Sequence, residues 1–234
     1  MKKKTSKKYY RRYDFQIVLF FIIFGAIAVS GFVWVLTPKQ ILPVYQPAMI
    51  DPKLVDESIQ FVKKYHTIAP FTMTNQNGQT ITEKDYENKV YVADFFFTTC
   101  PSICPIMTKN MFSLQEKLKT KYPEVKLLSY SVTPEIDTIE QLKRYAIENK
   151  VDDKIWNLVT GDKKEIYTLA RKSYLVVQND GNGGPHDMIH TENFVLIDKE
   201  NRIRGYYDGT DTVSYTHLRA HETRHDLVCR LLLE

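Results

Sequence analysis

Apolar positions follow three different rhythms along the chain. From Phe15 to Leu36 they run without a charge, and about 22 residues rising about 1.5 Å each span a hydrocarbon core of roughly 30 Å. From residue 37 to about 65 the pattern is broken by Pro38, Pro43, Pro47 and Pro52, with a short helical pattern from Pro52 to Tyr65. Beyond Ile68, apolar runs of strand length alternate with segments of helical period.

Within that last region, Phe71-Thr-Met-Thr and Gln79-Thr-Ile-Thr flank Asn77-Gly78, the strongest two-residue hairpin signal. Lys89 to Phe97 is almost continuously apolar, as in a central strand buried on both faces. Ile106, Met107, Met111, Leu114 and Leu118 predict a helix over Pro105–Tyr122. A strand over Val125–Val132, a helix over Thr138–Asn149, a strand over Trp156–Thr160 and a helix over Lys163–Ser173 follow. Asn193–Asp198 and Ile203–Tyr207 then read as a strand pair. This order predicts an α/β fold, a mixed sheet with helices on both faces, of the thioredoxin-like type.

The formal charge of +4 conceals an asymmetry. Lys2, Lys3, Lys4, Lys7, Lys8, Arg11 and Arg12 precede the long apolar run, and the remainder is close to neutral. No basic stripe is left for a nucleic acid, and that class is excluded. The positive-inside rule orients the run with residues 1–14 in the cytoplasm and the chain after Pro38 on the periplasmic or extracytoplasmic side of the plasma (inner) membrane. Trp34 suits the outer interface. Ala26-Ile27-Ala28 faintly resembles a cleavage site, but Phe32-Val-Trp-Val-Leu36 continues the apolar run beyond it, so a retained transmembrane helix is the preferred reading.

That topology sharpens the meaning of Asp94-Phe-Phe-Phe-Thr-Thr-Cys100-Pro-Ser-Ile-Cys104-Pro105. Two thiols lie between a strand and a helix, with three intervening residues where ordinary dithiol exchange uses two. Outside the cytoplasm such a pair oxidises readily, yet the small loop it closes restricts the unfolded chain little, so chemistry is the better reason for it. Pro105 fits a first helical position, which puts Cys104 at the helix N-terminus, where a thiolate is favoured. Soft thiolates select Cu(I), zinc or iron–sulfur centres, and two alone rarely complete a shell. His190, after the loop Asn179-Asp-Gly-Asn-Gly-Gly-Pro185, is the candidate third ligand, with His186 an alternative. His66 reads as structural. Asp94 reads equally as a modulator of the thiols or a satisfied strand carboxylate, and Asp137 as the cap of the helix near Thr138.

The cysteine motif, together with Leu42-Pro-Val-Tyr45, Ser131-Val-Thr-Pro134-Glu-Ile-Asp137-Thr and His190, resembles the Sco (SenC) family of cytochrome oxidase assembly proteins over roughly residues 40–212. The resemblance implies a membrane-anchored thioredoxin-like metallochaperone that binds copper through Cys100, Cys104 and His190. It implies as partner cytochrome c oxidase subunit II, or another copper-site apoprotein, whose dinuclear copper site it loads. The alternative is a thiol–disulfide reductase in which Cys100 and Cys104 reduce the cysteines of that same target; only the chaperone needs His190. Thr133 and Ile189 depart from the family pattern, each standing where aspartate is usual. A lost carboxylate there bears on orientation of the histidine or recognition of a partner.

The chain therefore divides into a basic segment (1–14), a transmembrane helix (15–36), a tether (37–66), a copper-binding domain (67–213) and a tail (214–234). In the tail His217, His221, His225 and Cys229 recur every fourth residue, a metal stripe on pattern alone. Composition changes abruptly after Val213, however, and three of the six histidines fall here, so the tail reads as sequence foreign to the domain. Deleting Ser214–Glu234 is expected to leave copper stoichiometry unchanged, and loss of metal from that truncation by elemental analysis would refute the reading.

Overall fold

The computed structural model describes residues 5–36, 42–177, 184 and 187–211 in two compact units divided after Ile41. The first is one helix, α1 (Thr5–Leu36). Its stretch Phe15–Leu36 has a mean hydropathy of 2.6 and is long and apolar enough to cross a membrane. Large apolar side chains are exposed on all its sides, an arrangement that suits lipid better than water.

The second unit is a seven-stranded sheet of β1 (Thr72–Asn75), β2 (Thr80–Thr82), β3 (Tyr91–Phe96), β4 (Lys126–Ser131), β5 (Trp156–Thr160), β6 (Asn193–Ile197) and β7 (Ile203–Asp208), in the order β2-β1-β5-β4-β3-β6-β7. β3, β4 and β5 are parallel neighbours, and β1, β2, β6 and β7 extend the sheet antiparallel on either side. The parallel strands need crossovers, supplied by α2 (Cys104–Lys121) and α3 (Ile139–Glu148). α4 (Lys163–Thr168) continues as a π-turn, Leu169–Ser173.

β3 is the centre of the fold. All six of its residues are buried, as the unbroken apolar run predicted. Alternate residues face opposite layers. Phe96 packs on Tyr145 of α3, whose hydroxyl pairs with Thr108 of α2 at 2.7 Å. Phe95 faces the other layer, stacked on Tyr130 and edge-on to Tyr174. On the α2–α3 side, Asp94 lies opposite Ser129 and accepts a very short hydrogen bond from its hydroxyl. Trp156 Nε1 donates to that same hydroxyl oxygen at 2.8 Å.

Three expectations are corrected. No helix runs from Pro52 to Tyr65; Pro47–Met49 and Pro52–Leu54 form single 3-10 turns, and the chain to Val62 turns on local i→i+3 bonds. Each proline fits the first residue of a helix, but these pieces are too short to repay nucleation. Nor does Leu42–His66 behave as a tether. Arg204 donates to the carbonyls of Pro43 and Leu42, Tyr45 N to Ile203 O at 2.8 Å, and His66 N to Gln46 Oε1, while His66 Nε2 meets Ser173 O at 2.8 Å. The hairpin loop is Gln76-Asn77-Gly78, three residues rather than two, closed by Asn75 N to Gln79 O and Gly78 N to Asn75 O. Gly78 has φ +74°, and a left-handed glycine ending a three-residue loop is a favoured hairpin form. The loop shifts because Gln76 is drawn inward, bonding Trp156 O, Leu158 N and Asp153. His186, the loop 179–183 and the tail from Thr212 lie outside the described residues.

Burial raises the Asp94 carboxyl from an ordinary 3.8 to about 7, against the lowering effect of the Ser129 bond. A folded state that holds a proton more tightly than the unfolded chain loses stability as pH rises through the interval between the two values. Asp94 is therefore expected to cost on the order of a few kcal/mol between about pH 4 and 7. Denaturation midpoints of Asp94→Asn should be flatter across that window than those of the unaltered protein. An identical fall in both would refute this assignment.

Candidate metal centre

The site is built where β3 runs into α2. Helix α2 starts at Cys104 after Ile103, whose side chain cannot cap it; the Ile103 carbonyl takes the N–H groups of Ile106 and Met107, and the Cys104 N–H needs another acceptor. The sulfur of Cys100 is that acceptor. Burial pushes its thiol up, but hydrogen bonds from the backbone N–H groups of Cys104 and Ser102, then from the Cys104 thiol and the Ser102 hydroxyl, outweigh burial and bring it down to about 7. Ser102 Oγ stands 3.7 Å from that sulfur. Cys104 behaves oppositely. Burial pushes it up to about 12 despite a backbone bond from Phe97, and its neighbours Cys100 and Asp94 add in the same direction. Both cysteines are free and buried, 6% and 3% exposed. At neutral pH the pair is thus one buried thiol in the middle of its ionisation beside one held thiol. Asp94 is a satisfied strand carboxyl, hydrogen-bonded by Ser129, and where ionised it adds to the upward push on Cys104.

His190 arrives from the segment before β6. Its ring stands edge-on against Phe97, 5.4 Å between centroids, so the strand end that leads into Cys100 also seats the imidazole. Among the described residues no three His, Cys, Asp or Glu side chains converge as a ready metal cluster. The structure brings the two thiols together and places His190 on the aromatic residue beside them. Two soft sulfurs and a neighbouring imidazole suit Cu(I) in kind, and two adjacent thiols also suit disulfide formation.

The segment from Asp187 to Glu192 is held at both ends. Asp187, three residues before His190, is clamped by Arg171 of the π-turn through bonds of 2.8 and 2.7 Å, with both side chains buried. The Tyr167 hydroxyl lies 3.0 Å from both the Asp187 and Val132 carbonyls. At the far end Glu192 O accepts from Gly209 N at 2.7 Å, and Asn110 of α2 donates to Gly209 O at 2.7 Å. A Cβ on Gly209 would stand 2.9 Å from Glu192 O, so only glycine allows this approach. Between the clamps Ile189 is 3% exposed. An aspartate there would be buried in the core, and isoleucine instead anchors the strand.

Asp137 is also corrected. Thr138 caps α3, accepting from Gln141 N, whereas Asp137 is completely buried. Its carboxylate accepts from Thr98 N at 3.1 Å, Thr98 Oγ1 at 2.5 Å, Ser131 Oγ at 2.6 Å and Thr133 Oγ1 at 3.2 Å. It ties the residue two before Cys100 to the end of β4. Thr133 donates into this network, where an ionised aspartate would instead set a like charge beside Asp137. Arg171, Asp187, Asn110 and Gly209 were not singled out from sequence. An arginine amid apolar residues of a short helix was the one available signal, and its partner lies sixteen residues away.

Comparison with known proteins identifies the family. The SCO1/SenC family model matches residues 60–221. The SCO1 protein homolog of Bacillus subtilis is 34% identical over 151 residues, 64% of this chain and 78% of that protein. A SCO1/SenC family lipoprotein from Bacillus anthracis superposes with a TM-score of 0.59 at 34% identity, over 68% of this chain and 94% of that one. Bradyrhizobium japonicum ScoI, solved with copper bound, superposes with a TM-score of 0.52 at 26% identity, over 67% and 99% of the two chains. With the family model spanning both cysteines, Asp137 and His190, this chain belongs to the SCO1/SenC family.

Proposed function

We propose that the protein is a membrane-anchored copper metallochaperone that loads the dinuclear copper site of cytochrome c oxidase subunit II. In this reading Phe15–Leu36 is a retained anchor, the domain works on the extracytoplasmic side, and copper is cargo. Cys100 and Cys104 hold Cu(I) as thiolates and His190 completes the shell. The observation that carries the reading is the pairing of two buried free thiols at the start of α2, one already acidic, beside an imidazole seated on Phe97. Copper in the related ScoI structure supports the choice of metal.

The chain's own residues divide the work. The N–H groups of Cys104 and Ser102 favour the Cys100 thiolate, so Cys100 is the first of the two cysteines to engage copper. Cys104 gives up its proton only when a cation arrives to compensate its burial. Asp137 and the Arg171–Asp187 clamp hold the cysteine loop and the histidine segment in register, and His190 closes on the metal by side-chain rotation away from Phe97. The same asymmetry, one acidic and one held thiol, favours the rival reductase, because it is the pattern of an attacking thiolate and a resolving partner.

X-ray absorption of the Cu(I)-loaded protein is expected to count two sulfurs and one nitrogen, with the nitrogen lost in His190→Ala and Cu(I) affinity reduced about tenfold or more. Four sulfurs, or none, would overturn the ligand set. The rivals separate in cells: His190→Ala supporting full copper loading of the oxidase while Cys100→Ser abolishes it would establish the reductase. In the metal-free reduced protein, iodoacetamide should label Cys100 with a rate that rises through a midpoint near pH 7, below the range of an ordinary cysteine, while Cys104 stays inert until strongly alkaline pH. Equal rates at both cysteines would contradict the assigned asymmetry.

A further inference from the structure

Residues 188–192 alternate in exposure. Ile189 and Thr191 are buried, 3% and 5% exposed, while Met188, His190 and Glu192 face solvent. Under period-2 alternation residues two apart share a face, with about 6–7 Å of chain between them. The segment is held at both ends, by the Arg171–Asp187 clamp and by Gly209 N on Glu192 O. Met188 and His190 are therefore both presented outward, two positions apart on a segment held at each end.

Met188 is 45% exposed, among the large apolar residues that the domain leaves at its surface. The two cysteines lie behind the surface at 6% and 3% exposure. A monovalent copper ion arriving from solvent or from a carrier meets the thioether and imidazole first. A thioether is a soft donor that selects Cu(I), and the long flexible methionine side chain reaches across the short gap to a neighbouring imidazole.

We propose that Met188 and His190 form a surface docking site for Cu(I), which receives the ion before the cysteines do. This rests on the reading that Cys100 and Cys104 hold Cu(I). Transfer is ligand exchange: the copper–thioether bond breaks as copper–sulfur bonds to the cysteines form, and His190 stays bound. The proton of each protonated thiol leaves to water, and copper remains Cu(I), so no electron moves.

The test uses the full chain in detergent micelles, with both cysteines replaced (Cys100→Ser, Cys104→Ser) and methionine methyls labelled with carbon-13. Cu(I) is supplied as its bicinchoninate complex. The Met188 methyl resonance is expected to shift on titration, and adding Met188→Leu or His190→Ala should weaken binding at this site at least tenfold. An unmoved Met188 methyl, with the unaltered protein binding Cu(I) in the same titration, would overturn the docking site and leave the cysteine site standing. Failure of the unaltered protein to bind Cu(I) at all would overturn both. If the double serine variant does not fold, stopped-flow uptake of Cu(I) by the cysteine-containing protein decides. Uptake at least tenfold slower in Met188→Leu supports the docking site, and equal rates refute it.

Discussion

A helix that begins without a cap governs this site. The Cys104 N–H, first in α2, has no partner within the helix, and Ile103, in the capping position, has no side-chain acceptor to offer it; the Ile103 carbonyl takes the N–H groups of Ile106 and Met107 instead. The Cys100 sulfur takes hydrogen bonds from the Cys104 N–H and from the Ser102 N–H just before it, and a group that satisfies a helix N-terminus is itself stabilised as an anion. Helix termination and thiol acidity are thus one interaction. Three residues between the cysteines allow it, because they set the first sulfur back against the start of the helix that the second opens. The two thiols then part company: the capping sulfur is acidic, and the one on the buried helix face is held protonated.

That arrangement is braced by groups far apart in sequence. Asp137 holds the strand-to-helix loop at Thr98 and the end of β4 through Ser131 and Thr133. Asn110 links α2 through Gly209 to Glu192, so the cysteine helix and the histidine segment share a support. Arg171 and Asp187 fix the other end of that segment. Buried ion pairs are poor investments for stability alone. Here the pair sets where the segment that carries His190 starts, which is a positioning role.

Much of the architecture was legible in the chain. The continuous run of β3 announced a strand covered on both sides, and helical spacing after Pro105 located α2 to within a residue. Legibility failed where local pattern competed with a distant partner. Four prolines looked like a tether, yet Arg204 and Ile203 draw Leu42–Tyr45 onto the domain. Asp137 looked like a cap because it precedes a helix, but Thr138 has the backbone geometry for that role and the carboxylate turns inward.

The sequence by itself determined the long apolar helix, the alternation of strands and helices, the cysteine spacing and the identity of the histidine, because each is written in residues close together. Only the tertiary structure decided which thiol is acidic, how firmly the histidine segment is clamped, and that Met188 and His190 are both exposed. Those properties depend on burial and on hydrogen bonds between residues up to about a hundred positions apart, such as Asn110 and Gly209. Burial and long-range pairing exist only once the chain has closed on itself, and local periodicity carries no record of them.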